Sequence, residues 1–476
     1  MTFGTYRASP CVPSIAPDKT QEDPLTPTTT LRGLAALLSL GAAFSAQAAN
    51  RQYPGPAAPC NTTLQACIDG ADSGDTIILV TDSHIAEDVT IRKNLTLTPG
   101  QAQPSVRTIT ALATTADLDV VVIGLTSRGG ASRARGFLAP GGGNLKLTVT
   151  GSELIGVGSN SALELTASNA AGAYGRAQGV FEGNTLHQSG ANGYCAPAIA
   201  VYAFQPGMSA TVQGNDVNAY DLEACAAISF YGSAPSTPGT LALDAQVRKN
   251  IVQGRGFDEG ILVRAYIGAT RAAVINNLVA GQGSETGLRV LADGSNATVE
   301  ARLLNNTVAG HQYGLRAGAR TDLGSSVAGV LANNLFASNS SAGISFEGNL
   351  PGFTDHHNLV FGSPAPQPGD RPYGPGTRRG NPSFADAAGG DFRLRADSDA
   401  IDHGDDGVVD SPDGRDLDGQ PRRVRTVDIG AYEFQGTPMP PAGSGIAPVP
   451  ALGAGALAWA VALLALTRWT RLRRRR

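Results

Sequence analysis

Runs of alternating apolar and polar residues dominate the middle of the chain: PAIAVY at 197–202, AAISFY at 226–231, EGILVR at 259–264, TGLRVL at 286–291, YGLRA at 313–317 and AGISF at 342–346. A period of two belongs to strands with one buried face. Ile261 and Val263, Leu288 and Val290, and Ile344 and Phe346 are therefore expected to point inward, with the residues between them facing solvent. Each run follows an asparagine, in GNTL (183–186), GNDV (214–217), KNIV (249–252), NNLV (276–279), NNTV (305–308), NNLF (333–336) and HNLV (357–360). A further strand closes each repeat, as in ATVQ (210–213), AAVIN (272–276), ATVEARLL (297–304) and VAGVLAN (327–333). Repeats of 24 to 35 residues are short for βαβ units and show no helical period. Three short strands per repeat, joined by bends, predict an all-β parallel β-helix over 72–377.

The aligned asparagines (Asn184, Asn215, Asn250, Asn277, Asn306, Asn334 and Asn358) have a structural reading. Coils stack about 4.8 Å apart, so one inward asparagine per coil can hydrogen-bond its neighbours above and below. Sixty glycines and 29 prolines suit many tight turns. The ends distort the net charge of −4: without residues 1–48 and 468–476 the chain holds 27 basic and 37 acidic residues, net −10. So acidic a body excludes nucleic acid as a partner. A monomer is expected.

The segment TLQACIDGADSGDTIILVTDSHIAEDVTIRKNLTLTPG (63–100) looks like the opening coil of secreted right-handed parallel β-helix proteins of the pectate-lyase-like class. That resemblance implies an N-terminal cap over 49–71, with a short helix from about Thr63 to Ala71 over the open end of the core and a first strand TIILV. It implies a fold and no particular activity. In residues 378–435 the ordered motifs NPSF, GDFRL, SDAIDHG, DLDGQPR and VDIGAYEF resemble the choice-of-anchor module of Q type found after bacterial surface β-helices. The module implies a closing cap ahead of a surface anchor. Within it, Asp410, Asp413, Asp416 and Asp418 offer hard oxygen ligands to Ca²⁺, or pair instead with Arg422, Arg423 or Arg425. No other cofactor is expected.

Both ends carry targeting features. Arg32, the apolar stretch Leu34 to Ala48 and the small residues Ala46 and Ala48 read as a signal peptide cut after Ala48, within a 1–48 region whose first 30 residues suggest a start placed too early. After a Pro/Gly-rich linker at 436–450, residues 451–467 are apolar and uncharged, and 468–476 hold six arginines. This predicts a transmembrane helix with a cytoplasmic arginine cluster. The order of VPALG, span and arginines resembles PEP-CTERM sorting tails of the IPTL-like variant, with VPAL where IPTL would stand. An exosortase-type processing enzyme is the partner this resemblance implies. The expected location is the cell surface or the periplasmic side of a membrane, anchored or released.

Setting aside Cys11, four cysteines remain in a chain bound for an oxidising compartment. Cys195 and Cys225 hold matching positions in successive coils and are expected to pair, and Cys60 can pair with Cys67 across the cap. Aligning Gly260, Gly287 and Gly314 puts Arg289 and Arg316 in one outward column, with Arg264 two residues further along and Asp258 and Glu285 beside them. Two readings stand. These residues line a glycan-contacting surface or are ordinary exposed ion pairs, or they are the acids and arginines of a polysaccharide lyase or glycoside hydrolase acting on uronate polymers. The leading expectation is a non-catalytic surface protein for adhesion or glycan contact.

Overall fold

The computed structural model describes residues 48–439 except 128–129, 192–193, 223, 235–240, 349, 367–370 and 410–413. Most of the signal region, the apolar tail 451–467, the arginine cluster, and Asp410 and Asp413 thus lie outside the described residues. Among the described residues no helix is long and apolar enough to cross a membrane.

The chain winds into a parallel β-solenoid of the right-handed type with about 11 turns. Its strands form three sheets of 12, 10 and nine members, each strand pairing with its counterpart one coil away. One coil runs from Thr185–Ser189 in the third sheet through Ile199–Ala203 in the second to Met208–Gln213 in the first. Inward residues such as Leu186, Val201 and Val212 make a continuous apolar core.

The corner from the first sheet to the third uses one left-handed residue per coil: Gly151, Gly183, Gly214, Lys249, Asn276, Asn305, Asn333 and His357, at φ 51–64°. Glycine and asparagine tolerate that conformation best. The next residue turns inward, and there the seven asparagines stack in one buried column. In each of the first six, both the backbone N–H and Nδ2 donate to Oδ1 of the asparagine one coil further on, at 2.8–3.1 Å. Nδ2 also donates to a carbonyl of the preceding coil, as Asn277 does to Val247 at 3.0 Å. Hydroxyl residues end the ladder: the Ser152 N–H donates to Asn184, and Asn358 donates to Thr377 Oγ1 at 3.2 Å.

The N-terminal region differs from the expected cap. Asn50–Tyr53 is a strand, paired in parallel with Thr76–Leu79, so the first sheet begins inside 49–71. NRQY shows no alternation; its place comes from contacts far along the chain, above all Arg51 on Asp75 at 2.7 Å. The helix is Leu64–Asp69, capped by Thr63, and it buries Leu64, Cys67 and Ile68. Glu87 accepts the N–H groups of Leu64 and Gln65. Disulfides join Cys60 to Cys67 and, across two successive coils, Cys195 to Cys225 with Cα atoms 6.1 Å apart.

The C-terminal module also departs from its expected place. Arg378–Arg379 adds a last strand to the third sheet, and a small antiparallel pair, Phe384–Asp386 with Asp391–Leu394, follows. The module then packs on the side of the solenoid. Phe392, Ile401, Ile429 and Tyr432 cluster with the outward-facing Leu278, Leu335 and Leu359 of the third sheet. The left-handed corner asparagines anchor it: Nδ2 of Asn276, Asn305 and Asn333 donates to the carbonyls of Arg415, Asp428 and Asp405. Glycines and then Lys249 hold the corner in the coils that precede this seat, and asparagines hold it in the three coils that bind the module's carbonyls.

Inside the module the acidic residues bind backbone. Asp416, a calcium candidate, is 1% exposed, and its two oxygens accept from the N–H groups of Gln420 and Glu433. Asp418, the other described candidate, is held by Nε and Nη2 of Arg393. Neither pairs with the arginines expected from sequence: Arg422 is buried against the carbonyls of Asp428 and Gly430, Arg423 pairs with Asp406, and Arg425 with Asp402. Burial, and then the charge of Asp428, push Glu433 up to about 7; burial pushes Asp428 up to about 6.

Two outcomes follow. Asn277→Leu removes the acceptor of two Asn250 donors and the donor to Val247, and should cost about 2–4 kcal/mol in denaturant titration, whereas Thr377→Val at the ladder's end should cost about 1 kcal/mol. The acids act through pH. Because the folded chain holds protons on Glu433 and Asp428 that the unfolded chain has already released, stability should fall as pH rises from about 4.5 through about 7. Melting curves over that range should show a smaller decline for Glu433→Gln.

Candidate functional site on the outer face of the second sheet

Pairing register places two outward columns on the second sheet. In one, Arg135 and Glu164 lead through Ala200, Ser229 and Leu262 to Arg289 and Arg316. In the other, Phe137 leads through Thr166, Tyr202 and Tyr231 to Arg264, and Glu347 lies three coils beyond. Alternation of period two sends these side chains out of the core, but several are not exposed. Ala200, Ser229 and Leu291 are buried, and Arg289, expected to face solvent, is 2% exposed.

The second column carries an aromatic platform that the sequence reading did not single out. Tyr202 and Tyr231 lie on adjacent coils with ring centroids 6.5 Å apart, and Tyr231 and Tyr266 are stacked at 6.4 Å. Phe204 packs on both Tyr202 and Tyr231. Exposure grows along the platform, from nearly buried Tyr202 to Tyr266 at 43%. The guanidinium of Arg264 sits 5.4 Å from the Tyr231 ring and 5.8 Å from that of Tyr266, and Nε and Nη2 bind Asp293 at 2.9 and 2.6 Å. One guanidinium that stacks on two rings, itself fixed by a bidentate carboxylate, holds these rings in place. The signal was available: Tyr202 and Tyr231 end the runs PAIAVY and AAISFY, and Tyr266 lies two residues beyond EGILVR, but only coil register shows that they adjoin.

Beyond the platform lies the charged cluster. Glu347 binds Arg289 at 2.7 Å and also pairs with Arg316, which reaches Glu285 in turn. Tyr313 lies under the Arg316 guanidinium at 4.8 Å. Gly318 makes this possible, since a Cβ there would stand 2.7 Å from Glu347 Oε2. Burial alone would raise the Glu347 carboxyl, but the hydrogen bonds and charges of Arg289 and Arg316 outweigh it and hold the group below its ordinary value. Asp258 is raised, by burial and then by the charge of Glu285, and it accepts from Ala224 N–H at 3.3 Å. Thus Asp258 and Glu285 do lie close enough to interact. Arg264, Arg289 and Arg316 face three acids, Asp293, Glu347 and Glu285, with Glu347 shared between Arg289 and Arg316, so the three guanidinium charges are neutralised within the wall.

Around the corner, an open cleft of about 1040 Å³ runs along the entrance to the first sheet. Asp119, Lys146, Arg176 and Asp244 line it, and Lys146 stands 3.5 Å from Asp119.

Residues 238–354 match a family described as a protein of unknown function (DUF1565), one typical of β-helix proteins. The matched stretch includes Arg264, Tyr266 and the charged cluster. No curated protein sequence matches the chain.

Glu347→Ala should leave buried Arg289, whose Nε and Nη1 already have no hydrogen-bond partner among the described residues, without its counter-charge. Glu347 is itself part-exposed, so the expected cost is about 2–3 kcal/mol by denaturant titration. Glu300→Ala, from the exposed pair with Arg271, should change stability by under about 0.5 kcal/mol.

Proposed function

We propose that this chain is an exported, surface-presented β-helix that contacts polysaccharide without cleaving it, through the aromatic platform of the second sheet. The observation that carries the reading is the set of adjoining rings of Tyr202, Phe204, Tyr231 and Tyr266 on consecutive coils. A pyranose presents an apolar face of C–H groups that stacks on such rings, and a solenoid repeats the platform along the direction in which a glycan chain would run. The internal neutralisation of Arg264, Arg289 and Arg316 favours contact over lyase chemistry, which needs a cation free to offset a uronate charge. Two disulfides suit an oxidising compartment. Export, the choice-of-anchor role of 378–435 and anchoring through 451–476 rest on the sequence features alone.

The rival reading, a glycoside hydrolase, is favoured by one observation: two carboxyl groups adjoin, with Asp258 raised by burial and then by the charge of Glu285, and paired acids are what glycoside hydrolysis uses. Affinity electrophoresis in neutral and uronate-containing polysaccharides tests both. Retardation by at least one polymer is expected, weakened about tenfold in Tyr231→Ala/Tyr266→Ala, with no new reducing ends and no unsaturated product. Product formation that disappears in Asp258→Asn would replace contact with catalysis.

A further inference from the structure

The chain has six histidines, and three of them meet where the last coil adjoins the C-terminal module. His356 ends the strand Phe353–His356, and His357 is the next corner residue, at φ 51°. In an extended strand adjacent side chains point to opposite faces. The left-handed corner brings these two together instead, with ring planes at 88° and Nδ1 atoms 3.1 Å apart. Gly376 leaves room for the His357 ring: a Cβ there would stand 2.7 Å from its Cδ2 and Nε2.

The module supplies a third ligand atom. Asp405 is clamped to Asn333 of the preceding corner, its N–H donating to Asn333 Oδ1 at 2.7 Å and its carbonyl accepting from Nδ2 at 3.0 Å. Its Oδ1 accepts from Gly407 N–H at 2.8 Å, which orients the carboxylate and leaves Oδ2 facing His356 Nδ1 at 3.5 Å. The three ligand atoms lie within 4.8 Å of one another.

We propose that His356, His357 and Asp405 form a transition-metal site of the Zn²⁺ type that ties the module to the last coil. The donor set decides the class: two imidazole nitrogens and one carboxylate oxygen suit zinc and its neighbours, whereas Ca²⁺ takes oxygen alone. The spacing agrees with this. Tetrahedral zinc with bonds of about 2.1 Å separates its ligand atoms by about 3.4 Å, close to the two distances measured here. A hollow of about 500 Å³, lined by His357, His403 and Asp402, lies beside the site, and Asp402 Oδ1 is a buried oxygen without a hydrogen-bond partner among the described residues. It gives water, or a fourth side chain, a route to the remaining position. The bonds from Asn333 and Gly407 are the outer partners that such sites use to fix a ligand's orientation.

The test uses the full chain, purified without a histidine tag and stripped with chelator. Titration with Co²⁺ should give the visible absorption of a tetrahedral site, saturating at one equivalent and displaced by Zn²⁺, and Zn²⁺ should raise the melting midpoint. Asp405→Asn keeps the acceptor for Gly407 and both backbone bonds to Asn333. It should fold as the wild type does, yet bind Zn²⁺ at least about tenfold more weakly and lose the thermal shift. His357→Ala should do the same, while His187→Ala, in a distant coil, should leave binding unchanged. Failure of the wild type to bind one equivalent, or binding unaltered by Asp405→Asn and His357→Ala, would overturn the proposal.

Discussion

The asparagine ladder is the interaction on which the solenoid most depends. At each corner the chain reverses into the interior, where an unpaired amide or carbonyl costs about as much as a lost hydrogen bond. One residue type answers both needs. The carboxamide oxygen accepts two donors from the coil before, and its nitrogen donates to the coil after and to a carbonyl of the coil before. Each asparagine therefore satisfies groups on both neighbouring coils and holds three coils in one register. A register slip would place an apolar side chain in the column and leave polar groups unpaired along it.

That corner does a second task further along. The residue before each ladder asparagine is left-handed and points outward, and where it is itself asparagine its side chain grips the module's backbone. The doubled asparagines at 276–277, 305–306 and 333–334 thus divide the work between solenoid and module. The third sheet pairs with this by turning apolar outward as well as inward, as Leu278, Leu335 and Leu359 show. The same corner position, occupied by His357 in the last coil, carries the proposed metal ligand.

The outer face of the second sheet works differently, because no other element of the described chain covers it in the way the module covers the third. There the stacking of coils converts isolated residues into columns, and a column of rings next to a column of matched charges results. Arginine serves these columns well, since its guanidinium lies on an aromatic face while binding a carboxylate edge-on, as Arg264 does with Tyr231, Tyr266 and Asp293.

Local and periodic features of the fold are legible in the sequence. Alternation marks the strands of the repeats, the asparagine spacing marks the coils from Asn184 to Asn358, and matched coil positions bring Cys195 to Cys225, all because a solenoid repeats one short local rule. Contacts that do not repeat were decided by tertiary structure alone. Asn50–Tyr53 is too polar and too short to declare itself a strand, and Ser152 and Thr377 end the ladder as hydroxyls that no alignment on asparagine includes. Arg289 occupies an outward position by period yet is buried by Glu347 from two coils away. The sideways seat of the module depends on outward leucines that look, in sequence, like any other strand residue. Asp405 reaches His356 and His357 only because that seat folds the chain back, and no spacing along a chain encodes where it will fold back on its own side.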